Sequence, residues 1–202
     1  MTGTKDRILA AGAELFRHGG YAGTGVKQIV EKAGAPFGSL YHFFPGGKAQ
    51  LGEEVVRTSG MQYAQLFEIF IAPAPDLLTG LETFFGAAVT TLLETDYVEG
   101  CPIATVALEV ATTNEPLRQA TADVFTAWTE AGTRGFAPFG LPAEQGRTLT
   151  LALITSLEGA FVLSRSLRST EPMAVAGAAV VDVARRLLNE LGQDGKRTPE
   201  AG

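Results

Sequence analysis

Residues 24–48 read TGVKQIVEKAGAPFGSLYHFFPGGK and contain the strongest structural signal in the chain. Apolar side chains at positions 26, 29, 30 and 33 have the spacing of a short helix that begins at Thr24 or Gly25 and is stopped by Gly34. Pro36 suits the first turn of a next helix, which runs to Phe44 before a Pro-Gly-Gly run breaks the chain. Two short helices joined by a tight turn form either a helix-turn-helix or an ordinary helical hairpin, and spacing alone leaves both open.

The rest of the chain also has helical periodicity. A helix is predicted from Thr4, which can cap it, to about Arg17, and a long one from about Lys48 to Ile71. Further helices are predicted over about 76–95, 102–112, 115–136, 143–168 and 172–191. No segment shows the sustained alternation that is typical of strands. The predicted fold class is therefore all-α, with about nine helices.

The charge is divided unevenly along the 202 residues. The net charge of −6, taken as an average, argues against a nucleic-acid binder, which usually has a basic balance. Residues 1–57, however, hold seven basic and five acidic side chains, a balance of +2, and the remainder holds nine basic and seventeen acidic ones, a balance of −8. The N-terminal part, residues 1–57 (here called the head), is therefore mildly basic, and the remainder (the body) is acidic. This asymmetry indicates that the two parts meet different partners.

Several features predict a cytoplasmic protein. The longest run without a charged side chain, residues 33–47, is shorter than the roughly 20 apolar residues of a membrane-spanning helix, so no membrane segment is expected. The N-terminus shows no signal-peptide pattern. A single cysteine, Cys101, allows no disulfide within the chain, which is typical of a reducing compartment.

The head resembles the N-terminal domain of TetR-family transcriptional regulators. The matching residues are Gly20-Tyr21, Thr24, Ile29-Val30, Ala33-Gly34 and the run from Gly38 to Lys48 that reads GSLYHFFPGGK. Together with Gly100-Cys101-Pro102, the amino-acid sequence of this run is most similar to the LmrA/YxaF branch. The resemblance implies a helix-turn-helix DNA-binding domain over 4–64 and a helical effector-binding and dimerisation domain over 65–192, followed by a polar tail over 193–202.

The resemblance also implies roles for individual residues. Thr24 and Lys27 match positions that reach the phosphate backbone, and Lys48 matches a phosphate-contacting lysine. Tyr41 and His42 match the base or phosphate contacts of the recognition helix. Lysines neutralise phosphates, whereas hydroxyls and a histidine can hydrogen-bond to phosphates or base edges. The candidate DNA-contacting residues are Thr24, Lys27, Pro36, Phe37, Gly38, Ser39, Tyr41, His42 and Lys48.

Phe37 departs from the family pattern, because related sequences often have a lysine or another polar residue there. Its ring can pack on a thymine methyl group or fold back against the domain, and the sequence leaves both open. The segment Ala33–Gly47 has no fully charged side chain, so direct reading of bases must use neutral groups. We therefore expect modest DNA affinity that depends strongly on salt.

The body has more large apolar groups than a simple bundle requires, and apolar pockets are the usual small-molecule sites. The resemblance implies an effector pocket here, although core packing is the simpler interpretation for most of these side chains. The candidate lining residues are Phe67, Cys101, Phe125, Trp128 and Phe161. Glu109 also stands out, because it lies in an apolar run where a carboxylate is expected to pair with an arginine or bind an effector.

The last two long predicted helices carry apolar stripes that can pair in a four-helix bundle about a two-fold axis. The resemblance implies this mode of homodimer formation. The candidate interface residues are Leu153, Leu157, Ala160, Ala176, Val180 and Val183.

No catalytic constellation is visible. Both histidines, His18 and His42, lie in the head, and no HExxH, CxxC or GxGxxG pattern occurs. We therefore expect no enzyme activity, no cofactor and no metal site. The predicted function is that of a dimeric TetR-like repressor that binds a palindromic double-stranded DNA operator and is released by a small apolar effector. The alternative, which Phe37 permits, is a helical ligand-binding or protein-interaction module that has lost operator recognition.

Overall fold

The computed structural model describes residues 3–197. Over this range the chain forms nine α-helices and no strand, which confirms the predicted all-α class. The helices are α1 (Thr4–Gly19), α2 (Val26–Lys32), α3 (Phe37–Phe43), α4 (Gly47–Phe70), α5 (Leu77–Glu94), α6 (Pro102–Val110), α7 (Glu115–Phe136), α8 (Ala143–Leu167) and α9 (Glu171–Arg197). The predicted polar tail begins within α9, and its residues 198–202 lie outside the described range.

The described chain divides into two compact units. The first unit takes the N-terminal residues up to Tyr63 together with Val98–Ala127, and the second takes Ala64–Tyr97 together with the residues from Trp128 onward. Helix α6 and the first part of α7 therefore belong with α1, α2 and α3, although they follow them by many residues in sequence.

The first unit is built around apolar side chains from α1 to α4. These side chains are at most 1% exposed: Ile8, Phe16, Ile29, Leu40, Phe44 and Leu51. Each such burial contributes about 1.5–3 kcal/mol before entropy is counted. Leu40 is the buried residue of α3, so one apolar side chain anchors this short helix to the core.

The turn between α2 and α3 is fixed by backbone geometry and by one arginine. Gly34 has φ +58°, a conformation that favours glycine, and the Ala35 N–H donates to the Val30 carbonyl at 2.9 Å. The Arg7 Nε donates to the Ala33 carbonyl at 3.0 Å. Pro36, predicted inside the first turn, is instead the N-cap residue of α3, where its missing N–H also costs nothing.

The start of α1 differs from the prediction by one residue. Gly3, and not Thr4, is the N-cap residue. The Asp6 carboxylate accepts the Gly3 N–H at 3.1 Å and places negative charge at the helix N-terminus, where the helix dipole stabilises it.

The second unit packs α5, α8 and α9 around a separate apolar core. Leu81, Phe85, Leu149 and Val180 are among its most deeply buried side chains. A Cβ on Gly177 would lie 2.8 Å from the Phe85 Cβ, so the glycine allows α9 to approach α5 closely.

Helices α5 and α8 have the length and the apolar composition of membrane-spanning helices. Core helices of soluble proteins can have the same length and composition. Each of these two helices buries residues in the core of its own unit, such as Leu81 on α5 and Leu149 on α8. The absence of a membrane segment stays a prediction from the charge pattern.

Candidate nucleic-acid interface

Helix α3 has one buried side and one exposed side. Leu40 is completely buried, whereas Phe37 and Tyr41 are 55% and 49% exposed. The remaining predicted contact residues of this segment also reach the surface: Pro36, Gly38 and His42 are exposed, and Ser39 is half-buried. The exposed side of α3 therefore presents six of the nine predicted DNA-contacting residues together.

Two aromatic contacts order the exposed side. The rings of Phe37 and Tyr41, one helical turn apart, have centroids 5.9 Å apart at an angle of 54°. Tyr41 also packs on the turn after α3, because a Cβ on Gly47 would lie 3.4 Å from the Tyr41 Cε1. Gly47 has φ +66°, a backbone conformation that favours glycine.

Lys48 is held beside this surface by an aromatic ring. Its Nζ lies 4.3 Å from the centroid of the Tyr21 ring, a cation–π geometry that is worth about 0.5–2 kcal/mol. Partial burial of the ammonium group lowers the pKa of Lys48 from its ordinary value. The contact fixes the side chain before any DNA is bound, and this reduces the entropy lost on binding.

The other basic side chains of α1, α2 and α4 are mostly occupied within the protein. Arg7 binds backbone carbonyls. Five others form ion pairs with carboxylates: Lys5–Glu54, Arg17–Glu99, Lys27–Glu31, Lys32–Glu14 and Arg57–Asp123. Within the described residues, Lys48 and Arg7 form no ion pair with a carboxylate. Arg7 binds backbone carbonyls, whereas Lys48 lies over the Tyr21 ring and interacts electrostatically with the charge of Glu109.

Lys27 is the most exposed of these paired cations. Its side chain is 80% exposed, and its Nζ lies 3.7 Å from a Glu31 carboxylate oxygen one turn later. Exposed pairs of this kind contribute about 0.3–0.5 kcal/mol, so Lys27 can exchange Glu31 for a phosphate at little cost.

Thr24 differs from the other predicted contact residues. It is 3% exposed, and its hydroxyl donates to the Gly20 carbonyl at 2.7 Å. A phosphate contact by this hydroxyl would require the Thr24 side chain to leave the interior and give up that bond. In the structure Thr24 instead joins the end of α1 to the segment that leads into α2.

Glu109 of α6 contacts the turn between α1 and α2. Its Oε2 accepts the Ala22 N–H at 2.6 Å. A Cβ on Gly20, which has φ +72°, would lie 1.7 Å from the Glu109 Oε1. The apolar run around Glu109 marked this carboxylate as unusual in the sequence, but its hydrogen-bond partner is a backbone amide and not the predicted arginine.

The five predicted effector-lining residues are divided between the two units. Cys101 and Phe125 lie in the first unit, whereas Phe67, Trp128 and Phe161 lie in the second. Cys101 is buried and caps α6, its Sγ accepting the Ala104 N–H at 3.4 Å.

A cavity of about 410 Å³ lies in the first unit and has none of the five predicted residues in its lining. Helices α1 and α4 supply most of its wall, with Arg17 and Tyr63 among the polar side chains. The assignment of Phe67, Cys101, Phe125, Trp128 and Phe161 to an effector pocket stays a prediction.

The predicted dimer stripes face the interior of the second unit. Leu153, Ala160 and Val180 are 7%, 4% and 1% exposed, so they have almost no surface to offer a partner. Leu157, Ala176 and Val183 are half-buried against the same core. The apolar side chains that α8 and α9 leave exposed are different ones: Leu151, Val162, Leu163, Leu167 and Val175.

A short helix at a tight turn, with one anchored side and one exposed side rich in hydrogen-bonding groups, is typical of helix-turn-helix DNA-binding proteins. Residues 8–55 match the family model described as bacterial regulatory proteins, tetR family. Residues 78–179 match the model described as transcriptional regulator LmrA/YxaF-like, C-terminal domain. The chain is a helix-turn-helix transcriptional regulator and belongs to the LmrA/YxaF-like group of the TetR family.

Individual proteins agree with this assignment. The HTH-type transcriptional regulator YxaF of Bacillus subtilis is 30% identical over 183 residues, which are 91% of this chain and 96% of YxaF. The HTH-type transcriptional regulator LmrA of the same organism is 28% identical over 183 residues, 91% of this chain and 97% of LmrA. In fold, the chain is similar to the crystal structure of a regulatory protein TetR from Rhodobacter sphaeroides, with a TM-score of 0.76, 23% identity and coverage of 88% and 97% of the two chains.

Proposed function

We propose that the protein is a dimeric repressor that places α3 in the major groove of a palindromic operator and is released by a small apolar effector. The observation that carries the proposal is the exposed side of α3, where Phe37, Tyr41 and His42 face solvent while Leu40 holds the helix to the core. Single exposed apolar residues are normal, but aromatic side chains grouped on one exposed side mark a candidate interaction surface.

The size and charge of this surface suit a major groove. Seven residues of α-helix are about 10 Å long, and the groove is about 12 Å wide. The N-terminal residues of such a helix reach base edges. The residues around Phe37 and Tyr41 therefore make the direct contacts with the bases. Lys27 and Lys48 then contact phosphates on either side.

The dimer forms through the exposed apolar surface of α8 and α9. Val162 and Leu163 are each more than half exposed on α8, as is Val175 on α9. Two copies joined there would present two α3 helices to one face of DNA, with half-sites about 34 Å apart. A single seven-residue helix has too few contacts for useful specificity, so the dimer is part of the function.

Effector binding in the second unit lowers DNA affinity by favouring a state in which the two α3 helices no longer match the half-sites. This requires that the effector binds the released state more tightly than the DNA-bound state. Trp128 is the single tryptophan of the sequence, so its fluorescence reports effector binding near Phe67 and Phe161 if these residues line the pocket.

Selection from a random-sequence DNA library tests the proposal. We expect enrichment of an inverted repeat whose half-site centres lie about one helical turn, 10–10.5 base pairs, or a multiple of it apart. Enrichment of a single half-site would contradict the dimer, and no enrichment at physiological salt would contradict operator binding.

A further inference from the structure

The orientation of Phe37 answers a question that the sequence leaves open. A phenylalanine folded back on the domain would be buried, as Phe16 and Phe44 are at 1% and 0% exposure, but Phe37 is 55% exposed. It is the first residue of α3, at the end of the helix that reaches deepest toward base edges in a helix-turn-helix complex.

Tyr41 fixes the position of this ring. The two side chains lie on the same side of α3, and their ring centroids are 5.9 Å apart. The Tyr41 ring also lies near the start of α4, because a Cβ built on Gly47 would be 3.4 Å from the Tyr41 Cε1. A braced aromatic ring loses little conformational freedom when it binds, which suits a residue that must discriminate between bases.

The chemistry of α3 limits what this ring can recognise. The commonest specific contact in a major groove is an arginine or lysine on guanine, but no charged side chain occurs between Ala33 and Gly47. Hydrogen bonds to base edges are left to Ser39, Tyr41 and His42. A phenylalanine cannot make such bonds, and the groove offers it one apolar partner, the C5-methyl group of thymine.

We propose that Phe37, braced by Tyr41, is a specificity-determining residue that reads the 5-methyl group of a pyrimidine in each operator half-site. The proposal rests on the operator binding proposed above. Burial of one methyl group changes affinity about fourfold, so removal of the methyl from both half-sites weakens binding about 15-fold.

The test uses the operator obtained by selection, with each thymine replaced in turn by deoxyuridine at both symmetric positions. This change removes the C5-methyl and keeps the base pair. Wild-type protein and the Phe37→Ala variant are titrated with each duplex, and Met61→Ala, which removes another exposed apolar side chain of the first unit, is the matched control. Circular dichroism verifies that the variants are folded.

We expect one symmetric pair of thymines at which deoxyuridine weakens wild-type and Met61→Ala binding about 15-fold and leaves Phe37→Ala binding unchanged. At the same position, 5-methylcytosine paired with guanine should bind wild type more tightly than cytosine paired with guanine. Binding of Phe37→Ala that remains sensitive to the methyl group would overturn the proposal.

Three further outcomes separate the inference from the proposed function. The inference is overturned, and operator binding left intact, if the selected half-site contains no thymine. The same holds if the operator binds tightly but removal of no thymine methyl has an effect that depends on Phe37. Insertion of Phe37 between base pairs would appear as methyl-independent loss of affinity in Phe37→Ala and would also overturn it. Failure of wild-type protein to prefer the operator over random DNA overturns both.

Discussion

The Glu109 carboxylate accepts a 2.6 Å hydrogen bond from the Ala22 N–H, across 87 positions of sequence. The bond joins α6 to the turn that precedes α2, within the first unit. A displacement of α6 would therefore act on the segment that sets the position of the helix-turn-helix. The neighbouring Gly20 leaves the room that the Glu109 carboxylate occupies.

Gly20→Ala should destabilise the first unit by about 2–4 kcal/mol. At φ +72° and ψ 173° the residue lies in a region that is essentially restricted to glycine, so a side chain costs about 1–3 kcal/mol, and the new Cβ would displace Glu109 from Ala22, a loss of about 1 kcal/mol. Urea denaturation measures the change. Gly38→Ala is the matched control: its Cβ would meet no atom within 4 Å, so we expect unchanged or slightly higher stability. Equal stability of the two variants would contradict the role of the Gly20–Glu109 contact.

Lys48→Gln should reduce the salt dependence of operator binding. Each phosphate-contacting lysine contributes about 1 to the slope of log K against log[salt], so the dimer should lose about 2. Arg57→Gln is the control, because Arg57 is engaged with Asp123 on α7 at 2.6 Å. Fluorescence anisotropy between 50 and 200 mM salt gives both slopes. An unchanged slope of log K against log[salt] in Lys48→Gln would show that Lys48 does not contact a phosphate.

Alkaline pH should weaken operator binding through Lys48. Partial burial lowers its pKa below the ordinary 10.5, so the side chain loses its charge at a lower pH than an exposed lysine does. The phosphate contact is complete below this lowered pKa and is lost as the pH rises through it. Lys48→Arg keeps its charge over this range, and its affinity should fall less between pH 8 and 10. Parallel pH profiles for the two proteins would contradict the assignment.

Tyr41→Ala and His42→Ala should each lose operator binding and keep the dimer. Both side chains are exposed on α3, so their removal costs little stability, whereas a lost base contact costs about 10- to 100-fold per half-site. Gel-shift titration measures binding, and sedimentation equilibrium measures assembly. Normal binding by both variants would show that the interface is misassigned.

Val162→Asp should weaken self-association at least about 100-fold, because a charge would be buried in an apolar interface. Val162 is 57% exposed on α8, so the folded protomer should tolerate the change. Leu108→Asp places the same charge on α6 at a residue that is 78% exposed and outside the proposed interface. Sedimentation equilibrium should show dimer for Leu108→Asp and monomer for Val162→Asp; dimer in both would exclude this surface.

Local sequence signals predicted most of the fold. The Gly34 turn and the Pro-Gly-Gly break placed α3 within about a residue of its observed bounds, because glycine and proline limit the backbone directly. Periodicity also found α8 and α9. It could not tell whether the stripe containing Leu153 and Val180 faces a partner or its own core, since both surfaces are apolar, and the structure buries them.

Contacts between distant segments were not readable from the sequence. Thr24 matches a phosphate-reaching position of the family, but its bond to the Gly20 carbonyl depends on how α1 ends. Glu109 was noticeable for its apolar neighbours, yet its partner is a backbone N–H that has no sequence signature. The position of Phe37 likewise required the packing of α3, which buries Leu40 and leaves the phenylalanine outside.

Anisotropy titration with DNA from the region upstream of the protein's own gene, at 50 and 200 mM salt, tests whether the protein is an operator-binding regulator. A scrambled duplex of the same composition is the reference. We expect preferential, dimer-dependent binding to the upstream DNA, with affinity that falls steeply as salt rises. Equal, weak binding to both duplexes at both salt concentrations would contradict it and would favour a helical ligand-binding or protein-interaction module that has lost operator recognition.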